Sequence, residues 1–163
     1  MDYFNNNNNN NNIEIIDYNQ CYHQDLKKLS YEWLEKYVSV EPLDEEILNN
    51  PKEMILDGGG FIFMSKYNDE IVGTVSLIRI DDETFELAKL AVTEKYQGLK
   101  LGQRLMQRCI NKAKETNTKK VILYTNLKLS AAIGLYKKFG FVEIPLNNNK
   151  YIESDLKMEL QLN

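Results

Sequence analysis

Residues 86–106 read ELAKLAVTEKYQGLKLGQRLM. This stretch predicts a strand, then a tight glycine-bearing turn, then a helix that begins at the turn. The first turn of a helix leaves several backbone N–H groups unpaired and carries partial positive charge. Such a helix start is a ready anion site, suited to a phosphate or a pyrophosphate. The stretch therefore predicts a phosphate-bearing cofactor.

The spacing of apolar residues predicts the elements on either side of this stretch. Strands are expected at 13–18, 61–66, 70–80, 85–92, 120–125, 141–144 and 154–162. Helices are expected at 20–38, 44–56, 99–116 and 130–139. Asp44 is the expected cap of the second helix, and Gly140 is expected to end the last one in a left-handed conformation. The three strands after the second helix form an antiparallel meander.

The composition indicates one folded domain with a polar tail. The chain has 163 residues, enough for a single domain with a substantial core. Asn5–Asn12 is an unbroken asparagine tract, and a tract of this kind buries nothing. We therefore predict a disordered tail at 1–12 and one domain at 13–163.

Charge and cysteine content exclude several classes of function. The net charge of −4 argues against nucleic acid as the main partner, because phosphate backbones need a basic face. Cys21 and Cys109 form no disulfide framework, and with His23 as the single histidine a metal site is not expected. No apolar run approaches the ~20 residues that span a bilayer, and the N-terminus has no apolar signal core. A cytoplasmic protein is the expectation, with the nucleus as an open alternative.

A second motif follows the glycine-bearing turn, and the two together identify a family. Residues 135–141 read LYKKFGF, the end of a helix with a tyrosine in it. Over about residues 61–144 the chain resembles the GNAT N-acetyltransferase superfamily, which moves an acetyl group from acetyl-CoA to an amine. The resemblance implies an α/β protein of the α+β type, with a mixed, mostly antiparallel sheet of about six or seven strands and about four flanking helices. It implies acetyl-CoA as co-substrate and no metal.

The resemblance places the pyrophosphate of the cofactor at the turn. The residues that it implies there are Gln97, Gly98, Leu99, Lys100, Leu101, Gly102 and Gln103. Lys100 stands where the family usually has a glycine. We expect Lys100 to take a right-handed helical conformation in the first turn, with its ammonium group within reach of a phosphate. The alternative is a loop that only packs the helix on the sheet.

The resemblance also assigns roles along the strand before the turn. The main chain of Leu90, Ala91 and Val92 would meet the acetyl and pantetheine groups, and the Leu90 N–H would bond the acetyl carbonyl oxygen. Glu86 would accept the proton of the amine, directly or through water. Strand alternation predicts that Glu86 shares a face with Ala88, Leu90 and Val92. A solvated glutamate at a strand edge is the alternative.

Two more candidates lie near the second motif. Tyr136 would donate a proton to the leaving thiolate of CoA; the alternative is a core tyrosine. Many relatives have an asparagine at the position of Leu129, where its amide contacts the pantetheine. Asn126 is our candidate for an equivalent amide, and its alternative role is a strand end or helix cap.

The acceptor is not identified by any motif. Trp33, Tyr31 and Tyr37 could line an acceptor cleft, although aromatic residues at helical spacing are more often core. The acids that begin at Asp44 could attract an ammonium group, but a solvated helix start explains them more simply. Tyr151 lies in a loop where relatives often shape the acceptor site.

The sequence leaves three functions open. The leading hypothesis is a transferase that moves an acetyl group from acetyl-CoA directly to a primary amine of an unidentified small molecule or protein. The alternatives are a protein lysine or N-terminal acetyltransferase, and a non-catalytic CoA-binding or interaction module on the same fold. A homodimer is a further expectation from the family.

Overall fold

The computed structural model describes residues 12–96 and 98–162. Residues 1–11 of the predicted tail lie outside the described residues, and so does Gln97, one of the expected cofactor residues.

The described residues form a seven-stranded sheet with four α-helices. The strands are β1 (Ile13–Asp17), β2 (Phe61–Tyr67), β3 (Glu70–Asp81), β4 (Thr84–Val92), β5 (Lys120–Thr125), β6 (Val142–Ile144) and β7 (Leu156–Gln161). The helices are α1 (His23–Tyr37), α2 (Pro42–Asn49), α3 (Leu101–Glu115) and α4 (Ser130–Lys138). The strand order is β1-β2-β3-β4-β5-β7-β6. Only the β4–β5 pair in this described sheet is parallel, which confirms the predicted mixed, mostly antiparallel sheet.

Helices cover both faces of the sheet. On one face, α3 packs fully buried side chains such as Leu105 and Met106 against Phe63, Val75 and Leu87. On the other face, α1 and α2 pack against residues of β2 that alternate with Phe63. The sheet is thus the middle layer, and its strands alternate between two apolar cores.

The predicted second helix is divided into two segments. Helix α2 begins at Pro42 rather than Asp44, and Asp44 accepts the backbone N–H of Glu41 at 2.9 Å from inside the first turn. The helix ends at Asn49 because Pro51 has no N–H and restricts the residue before it. A separate π-helical segment follows at Lys52–Leu56. The predicted cap and the single helix at 44–56 were therefore wrong.

The other end of the chain follows the prediction closely. Gly140 has φ of +100° directly after α4, which confirms the left-handed helix end. In the part of the chain that the structure describes, no helix is both long enough and apolar enough to cross a membrane.

Two irregularities of β4 shape the centre of the molecule. Strand β5 pairs only with Thr84–Glu86, so β4 and β5 diverge beyond Glu86. The register with β3 shifts between Ala88 and Ala91, because Lys89 takes φ of +55° and an extra residue bulges out of the strand. The bulge and the divergence lie side by side and open the sheet there.

Candidate active site

A cavity of about 120 Å³ lies where β4 and β5 diverge. Its walls come from residues 86–91 of β4, 124–126 at the end of β5, one face of α1, and the loop before β7. Tyr136 of α4 closes one side. The cavity therefore joins the two sides of the molecule, the α3–α4 side and the α1–α2 side.

Glu86 is a buried carboxylate in the wall of this cavity. Its exposed fraction is 1%, and the Tyr151 hydroxyl donates to its Oε2 at 2.6 Å. Lys150 forms an ion pair with Oε1. Burial, together with the charge of Glu86, raises the pKa of Tyr151, so that hydroxyl stays a donor. The alternative of a solvated Glu86 was wrong, and its catalytic role stays a prediction.

Tyr136 lies in the wall of the same cavity. Its ring packs edge-on against Phe141 with 6.1 Å between ring centroids, which fixes the direction of the side chain. Burial raises the pKa of Tyr136 to about 12, so the phenol is protonated at neutral pH and has a proton to donate. The fold thus brings Tyr136 and Glu86, 50 positions apart in the sequence, to one cavity.

The bulge changes which side chains of β4 face the cavity side of the sheet. Within the described sheet, Lys89 and Leu90 have no partner in β3 or β5. Because of the extra residue, Ala91 shares a face with Glu86 and Ala88, whereas Leu90 and Val92 pack into the core under α3. The predicted common face of Glu86, Leu90 and Val92 was therefore wrong. The main chain of Leu90 lies at the cavity without a ladder partner, as its predicted role requires.

The start of α3 is built around Lys100, the residue before the helix. Lys100 has φ of +55° and ψ of +35°, which is left-handed. The expected right-handed conformation was wrong, because the chain reverses sharply here and needs the conformation that glycine adopts most easily. The first helical hydrogen bond runs from Arg104 N to Lys100 O at 3.1 Å. The amides of Leu101, Gly102 and Gln103 precede that bond and are left for a ligand or solvent.

Gly98 and Gly102 have different surroundings. Gly98 has φ of +81° and open space around it. A Cβ on Gly102 would lie 3.8 Å from Leu135 Cδ2 of α4, so α4 flanks the helix start. Leu99 is half-buried beside the helix start and packs in a small cluster with Leu101. These positions are those of the predicted pyrophosphate site.

Asn126 lines the cavity with its amide largely engaged. Its Nδ2 donates to the Glu153 carbonyl at 2.7 Å, and its Oδ1 accepts the Lys128 N–H at 3.0 Å. One amide hydrogen remains for a ligand. Leu129, at the position where relatives often have asparagine, also lines the cavity.

The sequence interpretation missed a buried ion pair between Lys89 and Asp44. The exposed fractions of the two side chains are 8% and 4%. Asp44 was expected to be solvated, which was wrong: the bulge directs Lys89 to it, and the Lys89 ammonium lies 5.3 Å from the Tyr151 ring centroid. The signal was present in the sequence, since Lys89 is the one cation in the apolar run that follows Glu86.

The three aromatic candidates of α1 separate into two groups. Trp33 lines the cavity. Tyr37 points elsewhere, with its hydroxyl donating to Glu94 at 2.8 Å, and Tyr31 packs in the core between α1 and α2.

The comparisons with known proteins agree with this geometry. The profile described as "Acetyltransferase (GNAT) family" matches residues 18–141, which is most of the chain. The chain belongs to this family.

Individual relatives and solved structures are similar to this chain in sequence or in fold. An uncharacterized N-acetyltransferase of Dictyostelium discoideum is 39% identical over 79 residues, which is 47% of this chain and 37% of the relative. The chain thus spans less than half the length of that curated relative. A GNAT-family acetyltransferase structure from Staphylococcus aureus Mu50 has a TM-score of 0.84 at 29% identity, covering 93% of this chain and 99% of that one. One from Elizabethkingia anophelis with acetyl-CoA bound has a TM-score of 0.64 at 24% identity, covering 93% and 99%.

Proposed function

We propose that this protein transfers an acetyl group directly from acetyl-CoA to a primary amine. One observation carries the proposal: Glu86 and Tyr136 line one cavity, beside the bulge that leaves Leu90 without a partner in either neighbouring described strand. A base, an acid and a backbone N–H donor beside the carbonyl oxygen are the three groups that assist acyl transfer to an amine. Membership of the family and the acetyl-CoA in the Elizabethkingia structure support the choice of donor.

The cofactor would lie along the gap between β4 and β5. We assign its pantetheine arm to the main chain of Leu90, Ala91 and Val92, with the remaining amide hydrogen of Asn126 on the other side. We assign its pyrophosphate to the start of α3, where the amides of residues 99–103 and the partial positive charge of the helix meet. Acetyl-CoA supplies an acetyl group activated as a thioester.

Glu86 prepares the acceptor. An alkylamine with a pKa of ~10 is mostly protonated at neutral pH, so a proton must leave before nitrogen can attack. The Glu86 carboxylate accepts it, directly or through one water molecule. The hydroxyl of Tyr151 at 2.6 Å and the ammonium group of Lys150 hold this carboxylate in place. The Leu90 N–H stabilises the negative charge that develops on the carbonyl oxygen.

Tyr136 completes the transfer. The C–N bond forms as the C–S bond breaks, and the departing sulfur takes the electron pair of that bond. The Tyr136 hydroxyl donates a proton to the sulfur and then recovers one from solvent, while the nitrogen loses its second proton to solvent as the amide forms. The products are the N-acetylated amine and CoA, and the proton taken by Glu86 returns to solvent.

The proposal is tested by changing Tyr136 to Phe. We expect kcat, measured as thiol release with acetyl-CoA and a panel of small amines, to fall by about 100-fold or more. The dissociation constant of acetyl-CoA, measured by calorimetry, should change little because the ring and its packing on Phe141 are kept. Tyr67→Phe is the matched control, since Tyr67 packs against Tyr96 and is not among the residues of the cavity.

Two results would speak against the proposal. Unchanged turnover in Tyr136→Phe would remove Tyr136 from the mechanism. Binding of acetyl-CoA with no turnover on any amine would favour the non-catalytic alternative.

We also propose a cytoplasmic location and a homodimer. Cys21 and Cys109 are free thiols, which is typical of a reducing compartment. Light scattering of the purified protein would establish the oligomeric state.

A further inference from the structure

We infer that the acceptor is a small molecule with two ammonium groups. One of them reacts beside Glu86, and the other is held by the carboxylates at the outer end of the cavity. This inference rests on the proposed function and names the substrate class of the same site.

The cavity has an acidic wall. Of the described residues that line it, four carry a carboxylate and one is a lysine: Glu41, Asp44, Glu86, Glu153 and Lys89. The two inner acids, Glu86 and Asp44, are 1% and 3% exposed, and Lys89 neutralises Asp44. The two outer acids, Glu41 and Glu153, are half-buried and form no ion pair with a described lysine or arginine. The charge of Lys128 acts on Glu153 from further away. Because Lys150 pairs with Glu86, both inner acids are balanced, and the uncompensated negative charge of the cavity lies at its outer end.

Hydrogen bonds hold both outer carboxylates in place. The Glu153 carboxylate accepts the Ser39 hydroxyl at 2.7 Å and the Ser39 N–H at 3.1 Å, and these hydrogen bonds lower the pKa of Glu153. The Glu41 carboxylate accepts the N–H groups of Ile152 at 2.6 Å and Glu153 at 3.2 Å. Each carboxylate has further lone pairs that an ammonium group could occupy.

A separate observation at α1 points to a polar ligand. The Ser30 hydroxyl is 98% buried by residue, lines the cavity, and has no hydrogen-bond partner among the described residues. Buried hydroxyls are normally paired, because an unpaired one has lost its water without replacement. An N–H group of a bound acceptor would supply the missing partner.

The charge at the outer end favours a small diamine over a polypeptide. Ser39 and Glu41 precede α2, and Ile152 and Glu153 precede β7, so the four hydrogen bonds between them tie two distant segments together. The cavity behind them is about 120 Å³. A lysine side chain is also a slender alkylamine, but its far end is an uncharged peptide backbone, whereas the far end of an alkyl diamine is an ammonium group that suits Glu41 and Glu153.

The charges also fit the chemistry of the transfer. The reacting ammonium group loses its proton to Glu86 and becomes the nucleophile. The distal ammonium group stays protonated throughout, so its contacts with Glu41 and Glu153 are the same before and after acetylation. The products are the mono-acetylated diamine, CoA and one proton.

The test is a binding series that needs no turnover. Putrescine, n-butylamine and γ-aminobutyrate share a four-carbon chain and differ at the far end, which is a cation, a methyl group or an anion. Trp33 is the single tryptophan of the chain and lines the cavity, so its fluorescence reports binding. We expect putrescine to bind about 10-fold tighter than n-butylamine, and γ-aminobutyrate to bind weakest. Raising the salt concentration should reduce the preference.

The variants Glu153→Gln and Glu41→Gln test whether the charge of each carboxylate, rather than the size of its side chain, recognises the distal ammonium group. Each amide keeps one acceptor oxygen, has an NH2 group in place of the second, and carries no charge. We expect each change to reduce the putrescine-to-butylamine ratio by about 3-fold or more, while butylamine binding stays the same. Glu143→Gln is the matched control, because Glu143 is exposed on β6 and is not among the cavity residues.

These experiments test the inference separately from the proposed function. Equal binding of putrescine and butylamine, or a ratio that neither glutamine variant changes, would overturn it even if amines are acetylated. Tight, selective putrescine binding would support it even if thiol release is absent, and that absence would count against the proposed function. Acetylation of peptides in preference to putrescine would overturn the inference and favour a protein substrate.

Discussion

The two sides of the cavity are built in different ways. On the α3–α4 side, the turn before α3 and the tyrosine of α4 come from short, contiguous motifs. On the α1–α2 side, the site is assembled from pairs far apart in sequence, such as Asp44 with Lys89 and Glu41 with Ile152. Under the proposed function, the first side binds acetyl-CoA, the donor shared by the whole family, and the second side binds the particular acceptor of this protein. The difference explains why the donor could be inferred from motifs and the acceptor could not.

The ion pair of Lys89 and Asp44 gives the largest expected effect on the acceptor side. Asp44→Asn keeps a hydrogen-bond acceptor for Glu41 N but leaves a buried ammonium group without its partner. We expect it to lower the free energy of unfolding by about 3–5 kcal/mol in urea titrations. Asp57→Asn is the control, since its partner Lys52 is exposed and exposed pairs contribute only about 0–1 kcal/mol.

Equal, small decreases in the free energy of unfolding of both variants would mean that the Lys89 ammonium group becomes hydrated when Asp44 loses its charge. The acceptor side would then be looser than the ion pair indicates.

Gly102 tests the donor side with an intermediate effect. Gly102→Trp would place a bulky side chain between the start of α3 and α4, so we expect acetyl-CoA to bind at least about 10-fold more weakly by calorimetry. Gly102→Ala should bind nearly as well as the wild type, because its Cβ would be in ordinary contact with Leu135 at 3.8 Å. Wild-type affinity in Gly102→Trp, with an unchanged circular dichroism spectrum, would contradict the pyrophosphate assignment.

Substitutions of Lys100 test the same side, the start of α3, and have the smallest expected effect on stability. A residue with a side chain is strained by about 1–2 kcal/mol in the left-handed conformation, and glycine avoids this strain. Glycine, however, loses more conformational entropy on folding, which costs about 0.5–1 kcal/mol. We therefore expect Lys100→Gly to raise the free energy of unfolding by about 0.5–1 kcal/mol. Lys100→Ala, which keeps the strain, should change it by less than about 0.5 kcal/mol. A destabilised Lys100→Gly would show that the lysine side chain stabilises the turn.

Acetyl-CoA binding by the two Lys100 variants answers a second question. If the ammonium group contacts a phosphate, both variants bind more weakly, and if the backbone alone forms the site, neither does.

Much of the fold could be predicted from sequence because its signals are local. Strand β5 has the predicted bounds, and Gly140 has the predicted left-handed conformation, since apolar period and turn chemistry act over a few residues. The bulge at Lys89 could not be predicted, because no residue there requires a positive φ. That one extra residue moved Leu90 and Val92 to the other face. At position 100 the family usually has a glycine, which would have predicted the left-handed backbone that the structure shows. The lysine in this sequence led us to expect a right-handed one.

The candidate site was predictable to the same extent. The motifs singled out Glu86 and Tyr136, and both line one cavity in the structure, while their catalytic roles stay predictions. The burial of Asp44 and the tie between Glu41 and Ile152 depend on how α2 packs against the loop before β7, more than 100 positions away. Hydrophobic periodicity carries no information about such contacts.

The most direct measurement is a crystal structure of the protein with acetyl-CoA. We predict that the acetyl carbonyl oxygen lies about 3 Å from the Leu90 N. The sulfur should lie beside the Tyr136 hydroxyl, and the pyrophosphate should lie at residues 99–103. A thioester bound outside this cavity, or a pyrophosphate away from the start of α3, would contradict it.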